Sequence, residues 1–330
     1  MTVFWEESRM AEIRLLHPEY YSVYETIRKK CGTFFDSLEW LRQFGSEVIV
    51  YGIFEDQHKL IGGFHLKQYT VGKFIRIARD PSFSPYSLFF LDLKTENPAK
   101  QHERIKKITY DIVKFLESQK FDIISISTQR KIVDTQPFIW SHYKVIPRYT
   151  YVINLGQSEE KIWNNMSPKR RNDIRKAQNE GIAVKKIQKP TFVLPIIEKM
   201  FIRKKIKYDY RSLHRLFNFF SDQNSFIFGA FRENQLVSVA LCVFDQDTAY
   251  YILGAGDRTI DESGGVLVIW ESIKYCKSVA LKYFDFEGSM VPKIESYFRE
   301  FGGELIPFYR INKAKLPLEI ILKFFKRELF

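Results

Sequence analysis

The chain has 330 residues, 45% hydrophobic and 27% charged, a balance that excludes a disordered or fibrous protein and leaves room for two cores. Its formal net charge of +12 favours anionic partners such as nucleotides, phosphates, RNA or acidic lipid. Three cysteines without paired spacing and six scattered histidines supply neither a disulfide framework nor a metal-ligand pattern, so no metal site is expected.

The first residues, MTVFWEESRMAEIR, carry acids where a secretory leader needs a basic and then an apolar run. No uncharged apolar run approaches the ~20 residues of a membrane span, so a cytoplasmic setting is expected. Next comes SLEWLRQF, with helical spacing, then the strands VIVYGIF, LIGGFHLKQY and KFIRIA. The pattern predicts a helix over HERIKKITYDIVKFLESQK, a strand at FDIISIS and a closing strand in VIPRYTYVINL. Near Gly156–Glu160 the plan restarts. GIAVKKI alternates like a strand, and TFVLPIIEKMFIRKKI and DYRSLHRLFNFF are helical. SFIFGAF, LVSVALCVF and TAYYILGAG are successive strands; VLVIWESIKYCKSVA is a helix, KYFDFEG a strand, KIESYFREF a helix and ELIPFYRI a final strand. Ser37 and Gly52 have counterparts in Ser212 and Gly229 at nearly equal offsets, as a duplication predicts. The expected fold class is α/β (α+β), with two tandem domains, 1–156 and 157–330, each a mixed central sheet flanked by helices.

The junction carries SPKRRNDIRKAQNEG, with Ser167 at the N-cap position, Pro168 at the first helical position and Gly181 just past the end. Lys169, Asp173, Lys176 and Glu180 share one side, with opposite charges at i,i+3 and i,i+4. Ile174 and Ala177 face the other way, with Arg170 at that margin. Arg171 and Arg175 form a separate stripe without an acidic helix neighbour, and their forked guanidiniums suit a phosphate. The competing reading is a solvated basic face, or pairing with carboxylates elsewhere in the fold.

Further along, Gly264 and Gly265 open a helix whose first backbone N–H groups are suited to a phosphate or an acyl carbonyl; the competing reading is a tight turn without a ligand. In FDFEGSM, strand alternation puts Tyr283, Asp285 and Glu287 on one side and Phe284 and Phe286 on the other. Glu287, at the last strand position before Gly288, is the candidate catalytic carboxylate, able to hold or deprotonate an amine; the competing reading is a carboxylate that pairs with Arg299 or caps the next helix. Arg299 in YFREFGG lies near the end of a helix that closes the same half and is the cation expected close to Glu287. Tyr251, Ser289, Tyr309 and Lys313 complete the candidate substrate-binding set.

The tandem element order looks like the GNAT N-acyltransferase fold. YYILGA, SGGVLVIWESI, FDFEGSM, YFREFGGELIPFY and MSPKRRNDIRKAQNEGI together resemble the Fem-type, peptidoglycan-bridge aminoacyltransferases, best the short relatives without the coiled-coil arm. The resemblance spans most of the chain and is strongest from Pro147 to Lys313. It implies two tandem GNAT-like domains and a transferase that moves an aminoacyl or acyl group onto an amine, in cell-envelope or peptidoglycan precursor modification. It also implies no tightly bound cofactor, a donor cosubstrate that is aminoacyl-tRNA or acyl-CoA, and an anionic or nucleotide-linked substrate, with tRNA a candidate partner. Neither DNA nor an obligate protein partner is expected. Two departures stand out. The GNAT word Gln/Arg-x-x-Gly-x-Gly/Ala is replaced by DESGG, with Asp261 and Glu262. The Fem word Phe-Lys-x-x-Phe-Gly supplies a cation near the reacting carbonyl, which implies Arg299 as the candidate catalytic cation, although the word is one residue shorter here and has Arg for Lys. Two alternatives therefore stay open: a coenzyme A- or acyl-carrier-protein-dependent N-acyltransferase, and a non-catalytic nucleotide- or RNA-binding duplicated fold. Any membrane contact is expected to be peripheral, through LPLEIILKFFKRELF, where Lys323, Lys326 and Arg327 interrupt Leu, Ile and Phe; the rival is a helix packed on its own domain.

Overall fold

A computed structural model describes residues 10–94, 97–205, 208–220, 223–257, 263–288 and 290–325. In chain order the elements are β1 (Glu12–Leu15), α1 (Tyr21–Cys31), α2 (Leu38–Arg42), β2 (Val48–Phe54), β3 (Leu60–Val71), β4 (Ile75–Arg79), β5 (Phe90–Leu91), α3 (Pro98–Ser118), β6 (Ile123–Ser127), α4 (Gln136–Trp140) and β7 (Lys144–Asn154). Then come α5 (Glu159–Asn165), α6 (Pro168–Asn179), β8 (Ala183–Lys186), α7 (Leu194–Arg203), α8 (Tyr210–Phe219), β9 (Ser225–Arg232), β10 (Gln235–Phe244), β11 (Thr248–Gly256), α9 (Gly264–Ser278), β12 (Tyr283–Asp285), α10 (Pro292–Arg299), β13 (Glu304–Ala314) and α11 (Leu316–Phe325). The chain forms two compact units, Met1–Arg148 with Pro307–Phe330, and Tyr149–Ile306.

In the first unit, β1 to β4 form an antiparallel run, β4 pairs parallel with β6, and β6 pairs antiparallel with Arg310–Ala314 of β13. The β2–β3 hairpin is set by Asp56, whose Oδ1 accepts from the backbone of His58 and Lys59. α3 starts on the Asn97 cap with Pro98 in its first turn, and buries Ile108, Ile112, Val113 and Leu116 on one stripe. That stripe joins Tyr51, Phe64, Phe89, Ile124 and Ile126 in the core.

The second unit repeats the plan. β8 to β11 are antiparallel in sequence, β11 pairs parallel with β12, and β12 pairs antiparallel with Val152–Asn154 of β7. α9 takes the place of α3 and buries Val266, Leu267, Ile269, Trp270, Ile273 and Cys276 among Phe226, Phe284 and Phe286.

The α/β class and the two-fold repetition of the strand plan are therefore present, position for position. The division of the chain differs from a single cut at residue 156. The strand that closes each unit comes from the other half of the sequence: VIPRYTYVINL runs into the second unit, and ELIPFYRI runs back into the first. Duplication explains why this is tolerated. The two closing strands are equivalent, so each satisfies the same row of backbone groups in either unit.

Candidate functional site

β12 brings the candidate carboxyl to the sheet end, but the strand stops at Asp285. Glu287 lies beyond it in the left-handed region, φ 57°, and Gly288 follows at φ 75°. Strand alternation therefore does not place the Glu287 side chain; a double left-handed turn does. Only glycine fits at 288. A Cβ there would lie 2.0 Å from the Tyr149 carbonyl oxygen. The turn is held by Asp285, whose Oδ1 accepts the Glu287 backbone N–H at 2.9 Å and the Thr150 hydroxyl at 2.5 Å. We expect Gly288→Ala to cost roughly 2 kcal/mol, read as a lower midpoint in denaturant.

Glu287 Oε1 is buried and accepts no hydrogen bond. Burial pushes its carboxyl well above the ordinary carboxylate range, and the nearby Asp285 adds to the rise. Burial thus favours the protonated form of Glu287 relative to a solvated carboxyl, an environment that suits proton exchange better than permanent charge pairing. Arg299 is not among the groups that set its proton affinity. The Arg299 side chain is 61% exposed and pairs with Glu295 at 3.1 Å, and Glu295 in turn accepts from Tyr151 Oη at 2.6 Å.

Tyr251 is half-buried, its ring edge-on to Phe286 and Phe298. Burial raises its phenol well above the usual value. Gly264 is a packing glycine, since a Cβ would meet Val237 Cγ2 at 2.9 Å and Ala230 Cβ at 3.3 Å. Gly265 is less confined; there a Cβ would lie 3.4 Å from Tyr297 Oη and 3.6 Å from Ser238 Oγ. Asp261, Glu262 and Ser289 lie outside the described residues.

The junction helix α6 forms as read, with Ser167 accepting from Arg170 N and Gly181 at φ 73°. Its cations divide differently from the wheel. Arg170 is 2% exposed, pairs with Glu300 at 2.6 Å, donates to the Tyr297 carbonyl and lies over the Tyr297 and Phe301 rings. Arg171 donates to the carbonyls of Asn164 and Met166, which end α5 and its cap. Arg175 is exposed, 3.3 Å from Asn172 Oδ1, with its guanidinium over the Trp163 ring.

Glu287, Tyr251, Gly264, Gly265 and α6 all belong to the second unit, with α10 supplying Tyr297 between the α9 start and Arg170. Tyr309 and Lys313 belong to the first unit. The Tyr309 carbonyl accepts from the Thr128 backbone N–H and its own N–H donates to Thr128 Oγ1, and Lys313 Nζ is occupied by Glu117 at 2.6 Å and the Ser141 carbonyl at 2.9 Å. Asp285, Thr150 and Tyr297 are not among the candidate residues of the sequence. Asp285 carried a signal, an acid two residues before Glu287 on a short strand. Among the described residues, no group of three or more His, Cys, Asp or Glu is arranged to hold a metal ion.

A family model described as the FemAB family matches residues 140–227, a segment that contains α6 but not Glu287. No curated protein matches the chain. A solved structure of FemX is similar over 94% of this chain and 100% of its own, with a TM-score of 0.70 at 12% identity. The C-terminal domain of a putative lysylphosphatidylglycerol synthetase from Agrobacterium fabrum is similar over 92% and 95%, with a TM-score of 0.60 at 8% identity. A GCN5-related glucosamine N-acetyltransferase region in a fungal multi-domain β-N-acetylglucosaminidase is similar over 93% of this chain and 38% of that one, with a TM-score of 0.51 at 9% identity. At these identities the likeness is one of fold alone.

Proposed function

We propose that this protein is a Fem-like transferase that moves an aminoacyl group from aminoacyl-tRNA onto an amine of a cell-envelope precursor. The observation that carries the reading is the buried Oε1 of Glu287, without a hydrogen-bond partner among the described residues, on a left-handed turn in a Fem-like fold. The acceptor amine arrives as an ammonium and must lose a proton before it attacks the ester carbonyl. A carboxyl whose proton affinity is raised by burial is suited to that exchange. An approaching ammonium favours release of the Glu287 proton to solvent, and Glu287 then takes one ammonium proton. The free amine attacks, the C–N bond forms and the ester C–O bond breaks as Glu287 passes that proton to the leaving ribose oxygen; Glu287 then takes the second nitrogen proton as the amide forms. The rest of the rate enhancement comes from positioning and from donors aimed at the developing oxyanion.

A donor with a polyanionic backbone calls for exposed cations, and Arg175 is the one on α6 with the most open guanidinium. Arg175→Ala is expected to weaken tRNA binding roughly 3- to 10-fold at low salt, with the difference shrinking as salt rises. An unchanged affinity at every salt concentration removes α6 from the donor site. The second reading, a coenzyme A thioester donor, rests on the α9 start. It is the weaker, because Gly264 is already accounted for by contact with Val237. Incubating the protein with a peptidoglycan precursor and either a charged tRNA pool or acetyl-CoA separates the two. An acceptor heavier by one aminoacyl residue supports the first reading; an acetylated acceptor supports the second.

A further inference from the structure

In α11 the side chains fall into four rows of i,i+4 neighbours. Leu316, Ile320 and Phe324 form one row, 71%, 51% and 84% exposed, and Ile321 and Phe325, 52% and 83% exposed, form the next. Leu318 and Leu322 are half-buried and face inward. Glu319 and Lys323 form the polar row and pair at 2.7 Å. No residue of α11 is fully buried, so two adjoining apolar rows stand open to solvent. Such a patch marks a docking surface on a folded protein.

Charge decides the occupant. Lys315, 57% exposed, precedes the helix, Lys323 flanks the open rows, and the sequence continues with Lys326 and Arg327. The ion pairs of Lys315 with Asp122 and of Lys323 with Glu319 are exposed and hold these cations weakly. A second copy of the chain would bring like charges together, in a protein already at +12. An anionic bilayer surface brings the opposite charge and an apolar layer for Phe, Ile and Leu at the same depth. Ile139 and Trp140, 52% and 44% exposed, end α4 next to Ser141, whose carbonyl accepts from Lys313 at the end of β13. They add an aromatic anchor near the base of α11.

We propose that α11 lies in the interface of an anionic membrane, its Leu316–Ile320–Phe324 and Ile321–Phe325 rows inserted and its lysines at the headgroups. The docking stands apart from the transfer chemistry, and its test needs neither donor nor acceptor. Flotation of the full chain with phosphatidylglycerol-containing vesicles is expected to show binding at least about 10-fold tighter than to phosphatidylcholine vesicles, weakening as salt rises. The double substitution Phe324→Ser, Phe325→Ser should lower the anionic-vesicle partition roughly 10-fold or more and leave the melting temperature unchanged, because both rings are solvated. Three outcomes overturn the proposal: no partition of the wild type, equal partition of the double variant, or a wild-type dimer by light scattering that the double variant abolishes. The last would make a second copy the occupant.

Discussion

Glu287→Gln is expected to lower turnover roughly 10²-fold or more while leaving the fold at least as stable as the wild type. Both halves follow from burial. The wild-type carboxyl has a buried oxygen with no partner, so its ionised form is disfavoured and its pKa lies well above the ordinary 4.5. The native state therefore binds more protons than the unfolded chain above pH 4.5. The contribution of this group to stability is fully present below that pH and is lost as pH rises toward the native pKa. Glutamine is neutral at every pH and escapes this loss, so the stability gap should favour the variant increasingly toward alkaline pH. It cannot exchange a proton, so turnover falls. Melting curves at several pH values with rates per folded molecule check both statements; a purely structural Glu287 would show lower stability with an unchanged rate.

Arg170→Ala is expected to cost about 3 kcal/mol of folding stability, the largest loss foreseen for the junction helix. The guanidinium is buried between the Tyr297 and Phe301 rings and pairs with Glu300, whose side chain is 21% exposed. Its removal leaves a void under two rings and a carboxylate whose remaining ion-pair partner among the described residues is the exposed Lys169, 3.3 Å away. Lysine is a poor replacement, since it supplies neither the planar stack nor the fork. Urea unfolding read by tryptophan fluorescence measures the loss. A shift below about 0.5 kcal/mol would show that Arg170 is held by, rather than holding, its neighbours.

Local signals carried much of the fold into the sequence. The caps and closing glycine of α6, the hairpin turns and the stripe of α3 all depend on residues within a few positions of each other. The exchange of closing strands was hidden for the opposite reason: β7 and β13 satisfy equivalent positions, so alternation reads the same whichever unit they join. At the site, wheel geometry separated Arg171 and Arg175 from acidic partners but did not count the carbonyls that end α5, which occupy Arg171. Glu287 was found through its place before a glycine, while its left-handed backbone was not legible, because a non-glycine residue adopts it only under tertiary constraint.

The pH dependence of kcat/KM for aminoacyl transfer, measured on the wild type and Glu287→Gln, tests the role of Glu287 most directly. The wild type should show an inflection well above the ordinary carboxylate value of 4.5, and the variant should be slow and without it. An identical profile in both proteins, at comparable rates, would contradict a proton-transferring Glu287 and the site built on it.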